Sequence, residues 1–447
     1  MKKICYLLSL LLVLTLLVPL AAAPAAAADD VCFISDNGSD LSDGSSPEKA
    51  KASLNAAYAA LPNGGMIVIC GPLTLSRSAD GSDYRTPETA TGAYTLTSVW
   101  NGTDYRTTAE AALLSDMWLY FNSAHTLDHL KIRVQKSTSL YCCNGNKVVI
   151  GEDVECVKDG SSNYIGITAG RNDDAAQDAA HGGDLTINGG SWQMIRGGTR
   201  NNQKLNCVNE GSVSVTINGG EINAEVFAAG DGTIKGDVLL TINGGTFKKS
   251  IRVLGTGTVE GNATVVINGG DFIDTTEITG AVAGSGSIKG TAVLKINGGT
   301  FAKKGMIVTG DVGEHEKFSQ GITLDASAWE TPNADLLTKA TGFDQVLYDA
   351  SKVPVETEAP ETAAPETAAP GETDAAETQA TVETKPAETQ AAETKAPAET
   401  AAETTPASSG SGSSSVPVYA IILLIVSLCG CVASAILFFR CRSANEN

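Results

Sequence analysis

Three aspartates stand close together near the amino end, in the polar, glycine-rich stretch from Asp36 to Gly44. Carboxylate oxygens at this spacing suit a hard cation, so Asp36, Asp40 and Asp43 are a hypothetical calcium site. The stretch is not an EF-hand loop, because Leu and Pro occupy the positions of its glycine and its bidentate glutamate. A turn in which the aspartates cap backbone amides explains the same residues. The sequence therefore predicts no cofactor, with calcium as the open alternative.

Two histidines are a second candidate for metal or catalytic chemistry. His125 and His129 flank Asp128 at a spacing that would place two ligands side by side on a helix. The segment alternates apolar and polar residues as a strand does, and in a strand residues four apart lie about 13 Å from each other. The alternation favours a structural role for these residues.

Carboxylates further along the chain raise the question of glycoside hydrolysis, which needs two of them about 5–10 Å apart. Glu221 and Asp271 form such a pair if they stand two strands apart in one sheet, because two strand spacings are about 10 Å. Arg196 is a nearby cation, but the repeat described next aligns it with Val226 and gives it no stacked acidic partner. No residue is predicted to be catalytic.

The elements that position these residues are repeats. The tetrapeptide Ile-Asn-Gly-Gly occurs five times, at intervals of 30, 25, 25 and 29 residues. An interval of this size indicates an array of stacked supersecondary units. If the units stack, their asparagines form a hydrogen-bonded ladder at a corner. These structural asparagines are Asn188, Asn218, Asn243, Asn268 and Asn297.

Each unit has the pattern of a strand, a corner and a second strand. Leu185-Thr186-Ile187 alternates apolar and polar residues before the first corner, as a strand does. The two glycines supply the positive φ of a sharp corner, and a large apolar residue such as Phe247 opens the next strand. Only about three short strands fit into such a unit, so we predict coils of a parallel β-solenoid about 4.8 Å apart. An antiparallel sandwich or a propeller is the alternative.

The predicted register also assigns the outward-facing positions. Thr186, Thr216 and Thr241 form a column beside the asparagines, and Asp271 lies on the other side of the corner. Together with Arg196, these are the candidate ligand-binding residues.

The repeats resemble those of right-handed parallel β-helix proteins, the pectate-lyase-like superfamily, as found in large bacterial surface proteins. The likeness covers residues 31–353. It implies an all-β, single-stranded, right-handed parallel β-helix with a short amino-terminal capping helix, for which Ser46 to Leu61 is the candidate. It also raises polysaccharide lyase activity, for which acidic residues and an Arg or Lys base would have to converge on one outer face.

Both ends of the chain carry signals for export and anchoring. Residues 1–28 are predicted to be a signal peptide, and residues 416–439 a transmembrane helix followed by the tail 440–447. Two arginines after the span place that tail inside, and a GPI signal is the alternative. The acidic Glu/Thr/Ala/Pro-rich stretch 354–415 is predicted to be a disordered stalk. The β-helix of residues 29–353 would then be the ectodomain of a single-pass type I protein on a Gram-positive-type bacterial surface.

Charge and cysteine content narrow the choice of partners and compartment. The net charge of −20 argues against a nucleic-acid partner. Of the 10 cysteines, six lie in the predicted ectodomain, where disulfides are permitted. Cys32 and Cys70 stand in two strand-like runs and are predicted to pair, with free buried thiols as the alternative.

Three functions are compatible with these features. The first is a surface binding or adhesion module for a glycan or for another surface protein. The second is a membrane-tethered polysaccharide lyase or glycoside hydrolase. The third is a passive spacer or cell-wall component.

Overall fold

The computed structural model describes residues 30–77, 83–136, 138–170, 182–200, 207–274, 277–280, 286–302, 307–310 and 318–354. In these residues four parallel sheets, named A to D here, run along the molecule. The strands of sheet A follow the chain order, and each pairs with the strand from the next passage of the chain. One such passage, from one strand of sheet A to the next, is a coil. This all-β, mostly parallel arrangement fits a β-helix solenoid, as predicted.

Sheet A consists of Val31–Ile34, Gly64–Ile69, Ala93–Thr97, His125–Asp128, Lys147–Ile150, Gly183–Ile187, Val213–Ile217, Val238–Ile242, Ala263–Ile267, Ala292–Ile296, Ile322–Ala326 and Gln345–Tyr348. Sheet C consists of Tyr84–Arg85, Trp118–Tyr120, Thr138–Cys142, Tyr164–Thr168, Ser191–Arg196, Glu221–Phe227, Thr246–Phe247, Ile251–Arg252, Asp271–Phe272, Glu277–Thr279, Thr300–Phe301 and Ile307–Thr309.

The two shorter sheets belong to different parts of the chain. Sheet B consists of Pro72–Thr74, Ala112–Leu114, Lys131–Val134 and Glu155–Lys158. Sheet D consists of Val208–Asn209, Thr233–Ile234, Thr258–Val259 and Ser287–Ile288. An antiparallel pair, Val99–Trp100 with Thr103–Asp104, projects from the earlier coils. The described helices are α-helices Leu54–Ala60, Tyr105–Thr108 and Ala334–Thr338 and 3₁₀ helices Pro47–Lys49 and Ala350–Lys352.

Inward-facing side chains of the sheets fill one continuous core. In strand Val213–Ile217 every second residue is buried and the residues between are half-buried, which is the alternation that the sequence predicts. Equivalent side chains stack from coil to coil. The ring of Phe272 lies 4.8 Å from that of Phe247 and 4.6 Å from that of Phe301, measured between centroids, with nearly parallel planes. Because identical residues stack, the same side-chain packing is repeated from each coil to the next.

The predicted single helix from Ser46 to Leu61 is wrong in its extent. The chain forms a 3₁₀ turn at Pro47–Lys49, becomes extended, and then forms the α-helix Leu54–Ala60. The break occurs because Lys51 bridges the first strand of sheet A: its amide donates to the Phe33 carbonyl at 2.9 Å. The helix itself buries Leu54, Ala57 and Tyr58 in the main core.

The predicted Cys32–Cys70 disulfide is not formed. Both residues are free thiols, and they face opposite sides of sheet A. Cys32 lies in the main core and is opposite Ile67, whereas Cys70 lies in an outer cluster with Phe33 and Val68. The odd–even alternation of a strand separates the two side chains, because Cys70 is three positions beyond Ile67.

Contacts divide the chain into two units, Met1–Glu361 and Thr362–Asn447, and the second lies outside the described residues. The predicted signal peptide, the transmembrane segment 416–439, the tail and nearly all of the stalk 354–415 lie outside them as well. Among the described residues, no helix is long and apolar enough to cross a membrane.

Candidate functional site

The five asparagines of the repeats form a continuous ladder at the corner between sheets A and C. Each side-chain amide donates to the Oδ1 atom of the asparagine one coil earlier, and all four of these distances are 2.8 Å. The ladder faces outward, and its middle members, Asn218, Asn243 and Asn268, are exposed. The carboxamides therefore hold the corners in register and expose polar edges to solvent.

Glycine is required beside the ladder because backbone from successive coils meets there. A Cβ atom on Gly244 would lie 2.5 Å from the carbonyl oxygen of Asn218, closer than any real contact. The next residue, Gly245, has φ of +100°, a conformation that residues with a side chain rarely adopt. The pair therefore makes a sharp corner that no larger residue could make.

Stacked corners form a shallow channel of about 600 Å³, which we call the glycine groove. Its floor is the glycine pairs from Gly219 to Gly299, and its wall on the side of sheet C carries Thr246, Asp271 and Thr300. The register Glu221–Thr246–Asp271–Thr300 is confirmed by the strand pairing. The groove thus offers hydroxyls and a carboxylate along one line parallel to the stack of coils, beside a floor of glycine backbone.

Beyond Thr300 the groove meets a second cavity of about 540 Å³ at the carboxyl end of the coils. The two cavities share Gly299 and Thr300. Phe301 and Trp329 line the second cavity, with their ring centroids 5.4 Å apart, and Asn333 lies nearby in the lining. Aromatic rings beside polar groups are typical of sites that bind small organic ligands.

Glu221, one coil before Thr246 in the same column, is held by neighbours. Its carboxylate is paired with the Lys248 ammonium group and accepts a 3.3 Å hydrogen bond from the Ser191 hydroxyl. The Lys248 pairing lowers the pKa of Glu221. A glycosidase general acid requires a raised pKa, so this environment works against that role for Glu221.

The candidate residues divide between two surfaces. Asp271 lines the groove, whereas Thr186, Thr216 and Thr241 form the predicted column on the outer face of sheet A, on the other side of the ladder. Arg196 is not brought to either surface and lies on the outer face of sheet C.

The predicted alignment of Arg196 with Val226 is wrong, and Arg196 has an acidic partner, Asp231, that comes from a corner and does not stack on it in the strands. A β-bulge follows Trp192, so the following coil uses one more residue and Arg196 pairs with Phe227 rather than Val226. Its guanidinium lies 4.2 Å from the centre of the Phe227 ring and donates to Asp231 Oδ2 at 2.6 Å. Burial lowers the pKa of Arg196, and the Asp231 carboxylate opposes that shift.

Two arginines and three carboxylates thus converge on this outer face, forming a set that we call the arginine cluster. Arg252 lies one coil beyond Phe227 and contacts both Glu225, at 3.0 Å, and Glu277, at 2.5 Å. The members of the cluster are Arg196, Glu225, Phe227, Asp231, Arg252 and Glu277. Sequence reasoning missed the cluster because the bulge shifts the register and because Asp231 comes from a corner rather than a strand.

The three aspartates near the amino end serve separate turns. Asp36 accepts hydrogen bonds from the Thr74 amide and hydroxyl at 2.9 and 2.7 Å. Asp40 accepts from two amides and a hydroxyl at the start of helix Leu54–Ala60, and Asp43 accepts from Ser45 and Lys49. Calcium binding at these residues stays a prediction, which heat released on calcium titration would test.

The segment around the two histidines is a strand, as predicted, but it ends at Asp128, and His129 follows it with φ of +45°, so the two histidines lie in different environments. His125 is buried: its Nδ1–H donates to the Ser123 carbonyl, and its Nε2 accepts from the Tyr58 hydroxyl at 2.8 Å. Burial lowers the pKa of His125 to about 4. His129 lies outside, between the carboxylates of Asp128 and Asp153 at 2.9 and 3.0 Å.

Sequence reasoning also missed two polar columns at the corners of sheet D. Asn262 accepts from Thr291 and donates from its backbone to Asp237, which links three coils. Beside it, Lys235 contacts Glu210 at 2.7 Å and Lys289 contacts Glu260 at 2.8 Å. The alternation of Lys and Glu in Gly-Thr-Ile-Lys-Gly and Gly-Thr-Val-Glu-Gly was the signal that could have revealed the charged column.

No family model matches the chain, and the comparisons with curated proteins and with solved structures find no match.

Proposed function

We propose that the chain is a glycan-binding module of a bacterial cell surface and that its ligand lies along the glycine groove. The observation that carries this proposal is the alignment of the groove with the asparagine ladder. Together they provide a straight polar channel whose groups repeat every coil, about 4.8 Å apart. A linear polysaccharide also repeats its hydroxyl groups at a regular interval along one axis.

The lining of the groove supports binding rather than bond cleavage. Hydroxyls of the groove wall and carboxamides of the adjacent ladder are groups that exchange hydrogen bonds with sugar hydroxyls. The carboxylate of Glu221 is engaged by Lys248, and Asp271 is the exposed acid of the wall. The cavity lined by Phe301 and Trp329 would receive one end of the bound chain.

Attachment to a cell is part of this proposal and is supported by the predicted signal peptide and transmembrane segment. In this proposal residues 29–353 form a single-stranded right-handed β-helix that is held outside by the stalk 354–415 and the helix 416–439. The partners are the membrane and a surface glycan or surface protein, with no nucleic acid.

A glycan array with the purified chain tests the proposal. We expect binding to a limited set of glycans and a loss of at least about tenfold for Thr246→Arg, which fills the groove with a long side chain. Thr264→Arg is the matched control, because Thr264 faces outward on sheet A, away from the groove. If the two variants bind alike, the groove is not the site. If no glycan binds, a passive spacer is the better account.

The arginine cluster favours a second candidate, a membrane-tethered polysaccharide lyase or glycoside hydrolase. Glu225 and Glu277 both contact Arg252, so their nearest oxygens lie within the sum of two contact distances, 3.0 and 2.5 Å. The two carboxylates are therefore no further apart than the pair of a retaining glycoside hydrolase, about 5–5.5 Å. Incubation with pectins, alginates and glycosaminoglycans, followed for unsaturated products and new reducing ends, tests it. Products that Arg252→Gln abolishes would establish the enzyme.

A further inference from the structure

Asparagine followed by glycine is the pair at which a protein most readily loses a side-chain amide nitrogen, because glycine has no Cβ atom to hinder its own backbone nitrogen. The chain contains nine such pairs, and the structure describes all of them. Five are the corners of the asparagine ladder, and a sixth, Asn101-Gly102, is the turn of the antiparallel hairpin. The nine pairs share one chemistry but differ in how firmly the structure holds them.

The ladder holds its asparagines by their side chains. Asn243 donates to Asn218 and accepts from Asn268, and both distances are 2.8 Å. The Gly244 amide also donates to the Ile217 carbonyl, at 3.4 Å. To react, such a carboxamide must give up its hydrogen bonds and turn toward the glycine nitrogen, which disrupts the register of the corner.

Three further pairs, at Asn37, Asn63 and Asn144, are restrained at the glycine. The amides of Gly38, Gly64 and Gly145 donate to backbone carbonyls at 2.9, 3.1 and 3.2 Å. The attacking nitrogen must lose its proton to react, and an N–H group that is hydrogen-bonded in the fold gives that proton up less readily.

The hairpin turn has neither restraint. Asn101 and Gly102 have φ of +48° and +79°, the pattern of a two-residue type I′ turn between Trp100 and Thr103. Both turn residues are exposed, and a Cβ atom on Gly102 would meet nothing within 4 Å. In the described part of the chain, no hydrogen bond engages the Asn101 side chain or the Gly102 amide. This pair is therefore the freest of the nine to react.

We infer that Asn101 is a site of spontaneous deamidation in the folded chain and that the ladder protects its asparagines from the same reaction. The Gly102 nitrogen forms a bond to the Asn101 Cγ atom, and the carboxamide C–N bond breaks. The displaced nitrogen takes the proton of the glycine amide and leaves as ammonia. Water then opens the cyclic imide at either carbonyl, which gives aspartate or isoaspartate without oxidation or reduction. The inference does not depend on glycan binding.

Peptide mass spectrometry of the purified full-length chain, kept in mildly alkaline buffer and sampled over time, tests the inference. Digestion in isotopically heavy water marks any conversion that occurs during the digestion itself. In the folded chain we expect Asn101 to convert at least about tenfold faster than Asn218, Asn243 or Asn268. In urea, where the ladder is lost, the four rates should come within about threefold of one another.

A variant tests the protection directly. Asn218→Ala removes the acceptor of the Asn243 amide and leaves Asn243 with one hydrogen bond, from Asn268. Asn243 should then convert at least about threefold faster, while Asn101 keeps its rate. Thr264→Ala, on the outer face of sheet A, is the matched control and should change neither rate. The comparison of wild type in buffer and in urea does not depend on how well the variant folds.

Three results would overturn the inference. The first is conversion of the ladder asparagines as fast as that of Asn101 in the folded chain. The second is an Asn101 that converts in urea but not in buffer. The third is an excess of about tenfold at Asn101 that persists in urea, because the difference would then come from the local sequence and not from the fold.

Discussion

The coils before residue 170 and those after residue 182 share sheets A and C but differ in their third side. In the early coils the chain passes from sheet A through sheet B to sheet C. In the later coils an Asn-Gly-Gly corner takes the place of sheet B, and sheet D follows sheet C instead. A corner that allows only one backbone conformation restricts the residues that can form it. The repeat can therefore be recognised in the sequence of the later coils, where every corner has this restriction.

The contents of the core differ in the same way. The later coils stack like residues, as in the Phe247–Phe272–Phe301 column. The early coils pack unlike side chains, with His125 against Tyr94 and Phe121 at centroid distances of 5.4 and 4.5 Å. Both sets nevertheless belong to one continuous core.

The largest effect on stability is expected from removing an aromatic ring from the core of either the early or the later coils. Phe272→Ala and Phe121→Ala each delete a fully buried ring and should each lower the free energy of unfolding by about 4 kcal/mol. Phe272→Leu should cost less than about 1.5 kcal/mol. Urea denaturation followed by circular dichroism measures these values. A separate transition that shifts in only one of the alanine variants would contradict the single core.

A smaller effect, about 3 kcal/mol, is expected from pH and belongs to the early coils. The pKa of His125 is about 4 in the folded chain against an ordinary value of 6.5, because burial disfavours the charged ring. As the pH falls below 6.5 the unfolded chain takes up a proton that the folded chain refuses until about pH 4. The contribution to stability is therefore complete above pH 6.5 and falls by about 3 kcal/mol on the way to pH 4.

Denaturation at a series of pH values measures this loss as the difference between wild type and His125→Phe. A His125→Phe variant with the wild-type pH dependence would show that the buried imidazole is not responsible.

Replacing a glycine with alanine should cost much more stability at a corner of the later coils than in the early coils. Gly244→Ala places a Cβ atom 2.5 Å from the Asn218 carbonyl oxygen, so we expect a loss of about 2 kcal/mol as the backbone shifts. Gly160→Ala, in an early coil, meets a side chain no closer than 3.4 Å and should stay within about 0.5 kcal/mol. Equal costs in thermal or urea unfolding would mean that the corner is not sterically closed.

The ladder itself should give the smallest effect. Asn243→Ala removes hydrogen bonds to both Asn218 and Asn268, whereas Asn297→Ala removes the one to Asn268. We expect the middle variant to lose about 1 kcal/mol more than the terminal one. A terminal variant that is as destabilised as the middle variant, measured in the same urea series, would argue against a ladder of independent bonds.

The later coils could be predicted from sequence because each corner imposes the same residues. The period of the tetrapeptide gave the strands and the column Glu221–Thr246–Asp271, and the strand pairing agrees with both. The early coils offer no such constraint. Their third side is a strand, which many sequences can form, and so sheet B could not be recognised from composition.

The candidate sites were harder to predict than the strands for a related reason. The bulge after Trp192 changes which residues stack on Arg196, and an inserted residue of this kind leaves no mark on the spacing of the tetrapeptide. Asp231 approaches Arg196 from a corner, and the path of that corner cannot be read from the spacing of the repeats. The break of the first helix at Lys51 likewise depends on a bridge to a distant strand.

The central claim is that successive coils stack in register, so that equivalent residues stand in one column. Pulsed electron–electron double resonance, which measures the distance between two spin labels, tests it directly with labels on the outer face of sheet A. Positions Thr126 and Val266 are five strands apart in that sheet, and Thr95 and Asp325 are eight apart. We predict distances of about 24 Å and about 38 Å, in proportion to the number of coils. Distances that do not grow with the number of coils would contradict the stack.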